Sequence, residues 1–82
     1  MHESSLARRL TERALREAQA HGGGRITVIR VRMGPEEHLD GRALAFWMEA
    51  WARGTPAEGA QVLVTQSPVS GVLLESISLE EA

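Results

Sequence analysis

Arg25-Ile26-Thr27-Val28-Ile29-Arg30-Val31-Arg32-Met33 reads as a β-strand, and Gly34-Pro35 ends it. Thr27, Ile29, Val31 and Met33 line one face; Ile26, Val28, Arg30 and Arg32 line the other. The second face is apolar early and charged late, which suits a strand covered on one side and half covered on the other.

Upstream, Ser4 and Ser5 can cap a helix. Leu6, Leu10, Ala14 and Ala18 then recur every four residues, with Leu15 widening the stripe into one apolar face. The opposite face carries Arg8–Glu12, Glu12–Arg16 and Arg13–Glu17 at i,i+4 spacing, each pair worth a few tenths of a kcal/mol. Gly22-Gly23-Gly24 stops the helix, because glycine enters the left-handed conformation freely.

Downstream, Asp40 is a good N-cap for a second helix running to about residue 53. Leu44, Trp47, Met48 and Trp51 follow i, i+3, i+4, i+7, flanked by Ala43, Phe46 and Ala50. Both tryptophans and the only phenylalanine lie here, so this helix is expected to supply the bulk of the core; a ligand or partner surface is the other reading of such a stripe. Gly54 caps its end. Gln61 to Gln66 forms a second strand, Ser67-Pro68-Val69-Ser70-Gly71 a turn, and Val72 to Leu79 a third strand, the last two predicted to pair as an antiparallel hairpin. The acidic tail Glu80-Glu81 is expected to fray. The order α-β-α-β-β predicts an α/β (α+β) two-layer sandwich, a three-stranded sheet covered by two helices.

Bulk properties limit what such a domain can do. The 82 residues have room for one core, and a 43% hydrophobic fraction argues against wholesale disorder. A net charge of −2 with interspersed signs leaves no electrostatic footprint for nucleic acid or an acidic membrane. No run is apolar and long enough for a signal peptide or membrane span, so a cytoplasmic protein is expected. There is no cysteine, which excludes disulfides, a thiol nucleophile and Cys-based metal sites. No Gly-rich loop leads into Lys-Ser/Thr, and Gly22-Gly23-Gly24 precedes a strand where nucleotide binding needs a helix. No nucleophile–base set is present, so an enzyme is not expected.

Metal chemistry is different. His2 sits beside the α-amino group of Met1, so amine, imidazole and the intervening amide can close fused chelate rings around one ion. A planar nitrogen set suits Ni(II) or Cu(II), whereas Zn(II) prefers a tetrahedral one. Glu3 adds a carboxylate or a further backbone amide. Of the other histidines, His21 closes the first helix, where a cationic imidazole favours the dipole. His38 follows Glu36-Glu37 in a loop; these could ligate a metal if other segments converge, or be solvated charge.

Met1-His2-Glu3-Ser4-Ser5-Leu6-Ala7 resembles the Met-His-Glu-x-Ser-Leu opening of the HypA/HybF nickel-insertion family. Arg53-Gly54-Thr55-Pro56-Ala57-Glu58-Gly59-Ala60 is similar to that family's Arg-Gly-Thr-x-Ala-Glu-Gly-Ala segment. The stretches 25–34 and 73–81 resemble its first and closing strands, in the family's order. The resemblance implies an α-β-α-β-β nickel-binding domain with Met1, through its amine, His2 and Glu3 at the metal. It also implies delivery of Ni(II) to the large subunit of a [NiFe]-hydrogenase or to urease, assisted by a HypB-type GTPase. Family members carry a zinc ribbon with paired Cys-x-x-Cys motifs between the last two strands. Here Ser67-Pro68 runs directly into Val69-Ser70-Gly71, so residues 1–82 read as one domain with that insertion absent between about 67 and 71, and no zinc is expected.

The leading expectation is therefore a Ni(II) carrier. Ordinary amines and imidazoles titrate near neutrality, so protons compete with the metal and affinity should be moderate and rise with pH. The competing expectation is a metal-independent interaction module, in which the sheet or the Trp47/Trp51 helix docks a partner or a second copy as a homo-oligomer.

Overall fold

Five elements follow the expected order in the computed structural model, which describes residues 2–35 and 39–80: α1 (Glu3–Ala20), β1 (Ile26–Met33), α2 (Gly41–Trp51), β2 (Gln61–Gln66) and β3 (Val72–Leu79). Both helices lie on one face of a three-stranded mixed sheet, giving the two-layer α+β sandwich. The end of α1 follows from its glycines. Gly22, at φ 97°, donates its N–H to Gln19 O, and Gly23 donates to Ala18 O at 2.8 Å, so the last carbonyls of the helix are satisfied. At the start of α2, Asp40 Oδ1 accepts the Arg42 N–H at 2.9 Å, as its cap position predicts.

The strand order is β2-β1-β3, with β1 parallel to β2 and antiparallel to β3. The expected β2–β3 hairpin is therefore wrong: the two strands lie on opposite sides of β1. The cause is α2. A helical crossover returns the chain to the starting end of the sheet, so β2 runs parallel to β1 and takes one of its edges. The other edge remains for β3. The connection at residues 67–71 must cross two strand spacings, about 10 Å, and five extended residues reach about 17 Å. It passes over the end of β1 and is fastened at both of its own ends: Ser67 N–H donates to Met33 O, and Gly34 N–H donates to Gly71 O, each at 2.8 Å.

The central strand carries the core. Ile26, Ile29, Val31 and Met33 are buried, and Val62, Val64, Val72, Leu74, Ile77 and Leu79 of the flanking strands pack beside them. Thr27 was expected on this face but is exposed, its hydroxyl donating to Ser78 O at 3.2 Å. Between the Ile26–Leu79 and Val28–Ser78 pairs β1 holds one extra residue, and this bulge turns Ile26 inward in place of Thr27. On the open face Arg30 reaches Ser78 Oγ at 2.9 Å, and Arg32 pairs with Glu75.

From the helices, α1 contributes Ala7, Leu10, Thr11, Ala14 and Ala18, while α2 buries only Leu44 and Met48. The expectation that α2 supplies most of the core is overturned: Phe46, Trp47 and Trp51 are 60%, 38% and 42% exposed. Leu44, Met48 and Ala52, at i, i+4, i+8, fill the arc turned toward α1 and the sheet. At 100° per residue Phe46 lies about 160° around the helix from Met48, beyond what α1 and the sheet cover.

Candidate metal centre

The candidate site occupies the first turn of α1. Met1 lies outside the described residues, as do Glu36, Glu37 and His38. The helix starts earlier than the Ser4/Ser5 pair suggests: Glu3 is its first residue and His2 its N-cap, with φ −76° and ψ 141°. His2 O accepts the Leu6 N–H at 3.0 Å, closing the first helical turn, while the exposed His2 side chain makes no capping bond. Glu3 is half-buried and places an acidic group in the first turn, where the helix dipole favours it.

This placement bears directly on chelation. Amide nitrogens inside a helix or sheet can join a metal only if their hydrogen bonds break. The amides at the start of a helix have no intrahelical acceptor. His2 and Glu3 stand there, so their nitrogens are open to the kind of ligation that a planar nickel set uses, and the imidazole is unengaged. Among the described residues no three His, Cys, Asp or Glu side chains approach closely enough to hold a metal.

His21 is not brought to this end. An 18-residue helix spans about 27 Å, and His21 stands at its far terminus, with Nε2 3.3 Å from Glu17 Oε1. Both partners are exposed, so that contact is a weak surface pair.

One residue at the site was missed. Trp51, read as core, lies at the end of α2 beside the first turn of α1. Its indole Nε1–H donates to Ser4 O at 2.9 Å, and the Arg8 guanidinium lies 5.5 Å from the ring centroid. Nothing in the local pattern signals a bond between residues 47 apart. Along the same helix Phe46 and Trp47 meet edge to face, their centroids 5.5 Å apart, forming an exposed aromatic surface.

Fold and first turn together define a small α+β domain with an exposed histidine at the start of its first helix. A family model described as "Hydrogenase/urease nickel incorporation, metallochaperone, hypA" matches residues 1–72. The chain is 38% identical over 66 residues to hydrogenase maturation factor HypA of Chlorobaculum tepidum, an alignment covering 80% of this chain and 58% of the relative. It is 39% identical over 61 residues to that of Methanopyrus kandleri, covering 74% and 43%, and 33% identical over 70 residues to that of Methanosarcina acetivorans, covering 85% and 53%. The chain belongs to the HypA family of hydrogenase maturation factors and nickel-incorporation metallochaperones. It spans about half the length of these curated relatives. Among the described residues no helix is long and apolar enough to cross a membrane.

Proposed function

We propose that this chain is a nickel carrier that binds Ni(II) through the Met1 amine, His2 and Glu3, and that it serves the maturation of a [NiFe]-hydrogenase or urease. Residues 1–82 then act as one nickel-binding domain, with no ribbon insertion between about 67 and 71 and no zinc. The observation that carries the reading is the position of His2: it is the N-cap of α1, with an exposed, unengaged imidazole next to amides that the helix does not use. Ni(II) is cargo here, bound and passed on; the chain is not an enzyme. A HypB-type GTPase and the hydrogenase large subunit are the proposed partners, in the cytoplasm.

Because Cu(II) exceeds Ni(II) in intrinsic affinity for such donors, selectivity comes from metal availability and from the partners. Titration calorimetry with Ni(II), on protein with a free Met1 amine and on His2→Ala, tests the reading. Stoichiometric binding that disappears in the variant is expected, and binding indifferent to His2 would overturn it.

The exposed Phe46, Trp47 and Trp51 favour a second reading, a metal-independent interaction module. Partner capture by the chain that persists in His2→Ala and is lost in Trp47→Ala would favour this reading over the carrier.

A further inference from the structure

An uncapped helix end frays, and α1 begins without a side-chain cap. Its first turn is held from elsewhere in the chain. Trp51 Nε1–H donates to Ser4 O at 2.9 Å, and one turn further on Arg8 places its guanidinium 5.5 Å from the centroid of the same ring. Arg8 is braced in turn by Glu12, at 3.4 Å from its Nε. Ser4 and Arg8 are four residues apart on one helix face, so two successive turns of α1 grip one indole. The carbonyl of Ser4 has two lone pairs, one for the helix and one for the tryptophan. Trp51 is 42% exposed, so water could satisfy its N–H; burial does not force the bond to Ser4. Its base is fixed, because Met48 and Ala52 on either side of it in α2 are buried.

We propose that Trp51 is a positioning residue for nickel: its indole latches the first turn of α1, so that the amides of His2 and Glu3 are presented in one arrangement. This rests on the reading of Met1, His2 and Glu3 as the nickel site. A chelate built on backbone nitrogens depends on backbone order more than one built on side chains, which can swing to the metal. An ordered first turn lowers the entropy lost when the metal binds. A loosened one must be ordered by the metal itself, and protons then compete more effectively for the same donors.

Trp51→Phe keeps a ring over Arg8 and removes the donor. Two readouts are taken from it: amide exchange of Leu6, whose N–H bonds to His2 O, in metal-free protein, and Ni(II) affinity as a function of pH. The latch predicts faster Leu6 exchange, unchanged exchange at Ile29 and Val31, a loss of nickel affinity of roughly three- to tenfold, and a higher pH at half-saturation. A purely structural role would speed exchange throughout the core and leave the pH midpoint where it is, overturning the proposal. Wild-type binding matched by Trp51→Phe in affinity and midpoint would remove the latch and leave the nickel site standing. Wild-type protein that binds no nickel would remove the site itself, and the positioning role with it. Should Trp51→Phe not fold, Arg8→Gln loosens the ring alone; it is expected to move the midpoint in the same direction, and no movement would overturn the latch.

Discussion

Replacing Gly34 with alanine places a methyl group where the crossover loop already runs. An ideal Cβ there lies 2.2 Å from Val69 O, 2.8 Å from Ser70 Cα and 3.0 Å from Gly71 N. All three are backbone atoms, so no side chain can rotate away; the loop must lift off the end of β1. Lifting strains or breaks the Gly34–Gly71 and Ser67–Met33 hydrogen bonds, each worth about 0.5–1.5 kcal/mol net. Forcing extra volume into a packed contact adds about 1–3 kcal/mol. Against this, alanine restricts the unfolded chain and returns about 0.4–1 kcal/mol. The balance is a loss of about 1–6 kcal/mol, a large part of the roughly 4–12 kcal/mol expected of a domain this size. At about 4–8 °C per kcal/mol, the midpoint of thermal unfolding followed by far-ultraviolet circular dichroism should shift down by at least about 4 °C. Faster amide exchange at Ser67 should accompany it. A midpoint within about 3 °C of wild type would refute the close passage of the loop over Gly34.

The exposed and buried sides of α2 should separate in the same assay. Met48→Ala, which empties a fully buried position, is expected to cost about 2–5 kcal/mol, whereas Phe46→Ser should stay within about 0.5 kcal/mol; a large loss from Phe46→Ser would return that ring to the core. Asp40→Ala removes the acceptor of the Arg42 N–H and should cost about 1 kcal/mol in denaturant unfolding, with no change in the slope.

Local chemistry made most of the fold legible. The two later strands begin and end where their β-branched runs and the Ser67–Gly71 turn residues place them, and Asp40 caps the helix it was expected to cap. Pairing was not legible. A Pro/Gly loop of five residues serves equally to join neighbouring strands or to step across a third, and only the return path of α2 decides between them. The inward turn of Ile26 depends on a bulge, which is a property of two paired strands and invisible in either alone. The aromatic stripe of α2 has helical period, but period does not say how wide an arc the sheet can cover. The residues of the candidate site stood out because the chemistry of a second-position histidine is local. The Trp51 contact did not, because it joins two elements through one long-range hydrogen bond.

On the proposed reading, nickel is held by the Met1 amine and the backbone beside it. The decisive experiment titrates Ni(II) into two forms of the protein that differ only in the Met1 amine, one free and one acetylated. Stoichiometric binding to the free form, strengthening as pH rises, and its loss in the acetylated form are expected. Equal binding by both would rule out the terminal chelate and place the metal on side chains alone.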